Sequence, residues 1–195
     1  EEVISEVKQL AENGYREVVL TGIHLSSYGI DLKGETLLSL ISSVHEVEGI
    51  RRIRLGSLEP RIVTEEFVKT ISKLPKLCPH FHLSLQSGCD ATLKRMNRRY
   101  TTAEYMEKVI LLRKYFPGCA ITTDVIVGFP GETAEEFRCT KAFLEQVEFF
   151  EMHIFKYSKR AGTRAAVMPN QVPDQIKTVR SNELLAMERE QSVAF

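Results

Sequence analysis

The sequence predicts an α/β protein built on an open, all-parallel sheet with helices between its strands. Three observations carry that prediction. Short β-rich runs alternate with amphipathic helical runs at a spacing of about thirty residues, the size of a βαβ unit. Crossovers of that kind are right-handed, so the strands share a direction and their C-terminal ends share one face. On that face the strands end in polar or glycine-containing exits, whereas helix-to-strand turns such as Asn13-Gly14 and Glu48-Gly49 are plain. Five strands are few for a closed barrel, so the sheet is expected to be open or incomplete.

Residues 1–13 read as an amphipathic helix with Val3, Ile4, Val7 and Leu10 on one face, ended by Asn13-Gly14. The first strand, Glu17 to Thr21, turns out at Gly22. A helix over Thr36 to Val47 precedes the strand Arg52 to Leu55, which exits through Gly56-Ser57-Leu58-Glu59-Pro60. A helix from Thr64 to Lys73 leads through Pro75 and Pro79 to the third strand, where Phe81, Leu83 and Leu85 alternate with His82, Ser84 and Gln86. That strand breaks at Ser87-Gly88, and a short helical run with Leu93 and Met96 follows. Thr101-x-x-Glu104 is a capping box for a helix from Thr102 to Tyr115, which stops at Phe116-Pro117-Gly118. The fourth strand, Ile121 to Val127, exits through Gly128-Phe129-Pro130-Gly131-Glu132, and Thr133-x-x-Glu136 caps a helix to Val147. The fifth strand, Glu151 to Phe155, exits through Tyr157-Ser158-Lys159. A loop over Ala165 to Pro173 precedes a long helix carrying Ile176, Val179, Leu184, Leu185 and Met187.

Lys and Arg total 26 against 26 Asp and Glu, so net charge argues neither for nor against nucleic acid, and only local clusters speak to it. No apolar run approaches bilayer length and no leader precedes Glu1, which predicts a soluble, cytoplasmic chain with no membrane partner. The cysteines, Cys78, Cys89, Cys119 and Cys139, are too widely spaced for a metal-binding or redox pair and read as small buried hydrophobes.

Each candidate site residue has a plain structural reading beside the functional one. Thr21-Gly22 can present backbone groups to a charged ligand end, but equally makes a simple turn. Gly128-Phe129-Pro130-Gly131 lacks the spacing and lysine of a P-loop, and a rigid turn before a capped helix accounts for it. Glu59, Asp124 and Glu132 are the acidic groups on the exit face. Asp124 lies in an apolar strand, where an unpaired carboxylate is unfavourable, so it requires a partner. His24 reads as a satisfied loop histidine. No nucleophile and base can be paired by spacing, so no catalytic residue is assigned. Lys94, Arg95, Arg98 and Arg99 in one exit, with Lys156, Lys159, Arg160 and Arg164 in another, form two cationic clusters that suit phosphates, against the plain reading of solvated charge.

Taken together, the motifs LTGIHLSSYG (Leu20 to Gly29), RIRLGSLEP (Arg52 to Pro60), HFHLSLQSGCDATLKRMNRRYT, TTDVIVGFPGET (Thr122 to Thr133) and FKYSKRAGTRAA (Phe155 to Ala166) resemble the radical S-adenosylmethionine methylthiotransferases. Within them TGIHLSSYG, SLEP and HLSLQSGCD look most like the branch acting on N6-threonylcarbamoyladenosine beside the tRNA anticodon. The resemblance implies a partial (β/α) barrel over residues 1–165, with 166–195 a linker and helix leading toward an RNA-binding domain. It also implies [4Fe–4S] clusters in the full-length protein, one held by a Cx3Cx2C loop after a first strand. No Cx3Cx2C occurs, so this stretch is expected to be a fragment lacking that strand and loop, to hold no cluster or other metal, and to be inactive alone.

Carried over by position, the resemblance places S-adenosylmethionine against Thr21 and Gly22 (its amino group), Gln86 and Ser87 (ribose or carboxylate), Val127 and Gly128 (adenine), and Phe155, Tyr157 and Ser158 (adenine edge). Ser57, Glu59 and Asp124 are added as residues of the same mouth. Lys94, Arg95, Arg98, Arg99, Lys159 and Arg160 are the expected tRNA contacts. The implied reaction is methylthio insertion at carbon 2 of the modified adenosine. The alternatives are a ribosomal-protein methylthiotransferase or another radical enzyme of this kind, and, in a different class, a non-catalytic RNA-binding module. A missing first strand also leaves Glu17 to Thr21 as a sheet edge expected to pair with a second copy.

Overall fold

The computed structural model describes residues 1–195. In chain order its elements are α1 (Glu2–Glu12), β1 (Glu17–Leu20), α2 (Leu37–His45), β2 (Arg52–Leu55), α3 (Glu65–Ile71), β3 (His80–His82), α4 (Asp90–Arg95), α5 (Thr102–Tyr115), β4 (Ala120–Val127), α6 (Ala134–Val147), β5 (Glu151–Lys156) and α7 (Asp174–Ala194). Short 3₁₀ turns lie at Leu25–Ser27, Pro60–Ile62 and Arg164–Val167. The predicted strand–helix alternation is present, and no helix is long and apolar enough to cross a membrane. The residues form two compact units, Glu1–His82 with Ile110–Cys119, and Leu83–Val109 with Ala120–Phe195.

In the first unit β1 and β2 pair in parallel, in a register running from Glu17 opposite Arg52 to Leu20 opposite Leu55. The chain entering β3 flanks the other side of β2: Ile53 N–H donates to Lys76 O at 2.8 Å, and Cys78 N–H to Ile53 O at 2.9 Å. β1 thus lies at the edge, with Val19 55% exposed, which is the feature behind the expected self-pairing. Ile41, Val44, Ile53, Val68, Ile71 and Phe81 are fully buried, and Phe81 meets Phe116 edge-on at 5.0 Å between centroids. Each such side chain contributes about 1.5–3 kcal/mol relative to exposure. Thr36 caps α2 by accepting from Ser39 N–H at 3.1 Å, and Thr64 caps α3 through Phe67 N–H at 3.2 Å.

In the second unit the run from Leu83 to Gln86 lies parallel to β4. Leu83 N–H donates to Thr122 O, Gln86 N–H to Asp124 O and Ile126 N–H to Gln86 O, at 2.8–2.9 Å. β5 pairs in parallel on the other side of β4, from Thr122 opposite Glu151 to Val127 opposite Lys156. Leu83, Leu85, Ile121, Val125 and Met152 of this sheet are all buried, and α6 adds Phe137, Leu144 and Val147 to the unit's core. Tyr105 of α5 is fully enclosed among Phe143, Phe149 and Tyr100, and donates its hydroxyl to Leu83 O at 2.7 Å. The two capping boxes read from sequence both form: Glu104 N–H to Thr101 Oγ1 at 3.2 Å, and Glu136 N–H to Thr133 Oγ1 at 3.1 Å.

The last helix differs in one respect from its sequence pattern. Ile176, Val179 and Leu185 of α7 are exposed, and the buried stripe is Arg180, Ser181, Leu184 and Met187. α7 is tied to the sheet and to α6: Lys156 Nζ donates to Thr178 Oγ1 at 3.2 Å, Gln191 Nε2 to Leu144 O at 3.2 Å, and Phe150 meets Phe195 at 4.9 Å.

Candidate active site

In the first unit the exits of β1 and β2 lie side by side, because the parallel register continues until Gly56 N–H donates to Leu20 O at 2.7 Å. Thr21, Gly22 and Ser57 are exposed there. Glu59 is half-buried and already engaged. Its carboxylate meets Arg61 at 2.7 Å and His24 at 3.6 Å, and its N–H donates to Ser26 Oγ at 3.1 Å. His24 is an exposed loop histidine beside that carboxylate.

In the second unit three exits succeed one another across the sheet. The first is at Gln86, whose φ of 74° places a non-glycine residue in the left-handed region while both its backbone groups stay in the ladder beside β4. Such a conformation is unfavourable by about 1–3 kcal/mol and clusters at ligand sites. Ser87, expected at the ligand, is instead fully enclosed: its hydroxyl lies 3.2 Å from Thr140 Oγ1 and accepts from Cys89 N–H at 3.3 Å. Gly88 sits against α6, where an added Cβ would stand 2.9 Å from both Thr140 O and Phe143 Cβ.

The second exit is Gly128, at φ 73°, whose N–H donates to Glu132 Oε1 at 3.0 Å. Burial pushes the Glu132 carboxyl up, while the Gly128 N–H and the Arg180 guanidinium pull it back. The third is Tyr157, whose N–H extends the ladder to Val127 O at 2.9 Å and whose ring meets Phe129 edge-on at 5.4 Å. Val127 is buried, whereas Phe155 and Ser158 are exposed. Asp124 has the partner its apolar strand demanded: His153, its register neighbour on β5, stands 3.3 Å away.

The cations divide in two. Lys94, Arg98, Arg99, Lys159 and Arg160 are exposed. Arg95 is instead committed to the fold: it donates to Glu136 at 2.9 and 2.5 Å, to Thr92 Oγ1 at 3.1 Å and to Pro130 O at 3.2 Å. That fork braces α4 against the Gly128–Glu132 loop and engages all three guanidinium nitrogens within the fold. Arg95 beside Glu136 holds its carboxyl below the ordinary value of 4.5. A carboxylate lowered in this way stabilises the fold above its ordinary value, and that stabilisation is lost as pH falls through the lowered one. Thermal melts from pH 7 to pH 3 should therefore show a steeper loss for the native chain than for Arg95→Met, whose melting temperature should already be lower at pH 7. Parallel curves would contradict this.

Residues 1–144 match the family model described as the radical SAM superfamily. The chain is 45% identical over 188 residues to the threonylcarbamoyladenosine tRNA methylthiotransferase MtaB of Bacillus subtilis, covering 96% of this chain and 42% of that protein. It is 46% identical over 191 residues to the tRNA-2-methylthio-N(6)-dimethylallyladenosine synthase of Caldicellulosiruptor saccharolyticus, covering 97% and 41%. The chain thus spans less than half the length of these relatives. Among solved structures, coproporphyrinogen III oxidase (HemN) from Escherichia coli, a radical SAM enzyme, superposes with a TM-score of 0.69 at 14% identity over 97% of this chain and 45% of that one. The family match spans most of the chain, and its parallel α/β fold agrees with it: the chain belongs to the radical SAM superfamily.

Proposed function

We propose that this chain is the S-adenosylmethionine-binding part of a tRNA methylthiotransferase acting on N6-threonylcarbamoyladenosine, folded as a partial (β/α) barrel. The observation that carries the reading is the row of strand exits in the second unit, Gln86, Gly128 and Tyr157, on consecutive parallel runs with a strained residue at the first. The backbone about Gln86, Gly128, Tyr157 and Ser158, with exposed Phe155, would hold the nucleoside end of the cofactor. When bound beside a reduced iron–sulfur cluster, S-adenosylmethionine supplies hydrogen-atom abstraction. The share of these residues is to orient the ligand and keep water from it.

The cysteines of this chain do not fit such a cluster. Cys89 and Cys119 are buried, Cys139 is exposed, Cys78 is half-buried, and none joins a group able to hold a metal ion. Burial also pushes the Cys119 thiol up, away from the thiolate form. A cluster would take its ligands from elsewhere in the full-length protein.

The exposed cations Lys94, Arg98, Arg99, Lys159 and Arg160 would take the tRNA backbone, with Arg95 bracing the loop behind them. The substrate is tested with the full-length, cluster-loaded protein and tRNA bearing either threonylcarbamoyladenosine or dimethylallyladenosine, read by mass spectrometry of the nucleosides. A methylthio mark on the first supports the reading. A mark only on the second, the substrate named for the Caldicellulosiruptor relative, replaces it. The triple variant Lys94→Glu, Arg98→Glu, Arg99→Glu should weaken tRNA binding by at least about tenfold and flatten its salt dependence, leaving S-adenosylmethionine affinity unchanged.

A further inference from the structure

The loop after β4 is held from outside the sheet by α7. Arg180 of that helix donates to Glu132 Oε1 at 2.5 Å and to Glu132 O at 3.2 Å, and its guanidinium lies 5.3 Å from the Phe137 ring. Both side chains are nearly closed off from solvent, at 9% and 2% exposure. The same Glu132 oxygen accepts the Gly128 N–H. One carboxylate oxygen therefore joins the exit glycine to the helix.

Two further contacts bear on the same exit. The stem of Lys177, one turn before Arg180, lies over Gly128 closely enough that any side chain at position 128 would collide with it. Its ammonium donates to Tyr157 O at 3.1 Å and stands 5.7 Å from the Tyr157 ring. Gly131 N–H donates to Asn170 O at 2.8 Å in the segment leading into α7. Both later exits of the second unit are thus braced by residues of α7, not by their own strands alone.

We propose that Arg180 and Glu132 are a positioning pair, with Lys177 as its auxiliary, that fixes the backbone of the Gly128 and Tyr157 exits for S-adenosylmethionine. The inference rests on the reading that these exits border the cofactor. A buried carboxylate with no adjacent cation would be a liability. Glu132 instead spends one oxygen on a backbone N–H whose direction sets where the exit points. Neither Arg180 nor Lys177 need touch the ligand; each acts through the loop.

The test uses the full-length, cluster-loaded protein. Arg180→Met, Glu132→Gln, Arg180→Lys and Lys177→Met are compared with the native protein by hydrogen exchange over residues 126–132, calorimetry with S-adenosylmethionine, and melting temperature. Arg180→Met and Glu132→Gln should speed exchange at Gly128 and weaken the cofactor about tenfold, and Arg180→Lys should recover part of both. Lys177→Met keeps the buried pair intact, so it should fold even if the others do not. It should weaken the cofactor a few-fold with little change in melting temperature. Native affinity in Lys177→Met together with native affinity in any folded variant of the pair overturns the inference, as does a fall in melting temperature with no change in affinity. If the native protein itself fails to bind S-adenosylmethionine, the functional reading falls and the inference with it.

Discussion

Replacement of Gly88 by valine is expected to lower the melting temperature of this chain by about 6–12 °C and to abolish S-adenosylmethionine binding in the full-length protein. The Cβ alone would stand 2.9 Å from the Thr140 carbonyl and 2.9 Å from Phe143 Cβ, and 3.0 Å from Thr140 Cα. These are atoms of α6 near its backbone, not the tips of flexible side chains. The helix cannot retreat freely, because Thr133 caps it and Arg95 clamps its first turn through Glu136. Overpacking of this kind costs about 1–3 kcal/mol, and more for valine, and each kcal/mol is worth roughly 2–4 °C at this size. Functional damage follows from position: Gln86, two residues earlier, holds a left-handed conformation that only intact surroundings sustain. Alanine at 88 should show a smaller loss of both. A valine variant with native melting and native affinity would show that α6 does not press on this exit.

Tyr105→Ala should have the largest effect on stability alone, about 3–5 kcal/mol, the range for deleting a fully enclosed aromatic side chain. The ring packs among Phe143, Phe149 and Tyr100, so its removal leaves a cavity lined by aromatic side chains. Tyr105→Phe separates packing from hydrogen bonding. The Leu83 carbonyl that loses the Tyr105 hydroxyl keeps a bond from Thr123 Oγ1 at 2.7 Å, so the expected loss is only about 1 kcal/mol. Urea unfolding of the three proteins, with a common slope, checks the ordering. Equal losses for Phe and Ala would mean the hydroxyl, not the ring, holds the strand.

What could be read from the sequence was what depends on neighbours in the chain. The capping boxes at Thr101 and Thr133 are three-residue patterns, and both form as read. Strand alternation placed Leu83 and Leu85 inward, and both are fully buried. Asp124 announced the need for a partner, yet only the β4–β5 register could name His153.

Long-range pairings were not legible. Arg95 looked like one of four equivalent cations, and nothing local ties it to Glu136 across the intervening helix and strand. Ser87 looked like an exit residue, but its enclosure depends on where α6 lies. The left-handed turn at Gln86 had no signal, since no glycine or asparagine marks it. Arg180 did leave one: spaced with Leu184 and Met187, it occupies a core position of α7, and a charged residue there asks for a buried counter-charge.

Hydrogen exchange of the full-length, cluster-loaded protein with and without S-adenosylmethionine tests the central claim most directly. Slowed exchange should appear together over residues 84–88, 126–131 and 155–159 when the ligand is added. Tight binding with no change over these three stretches, or with protection confined to other parts of the chain, would contradict it.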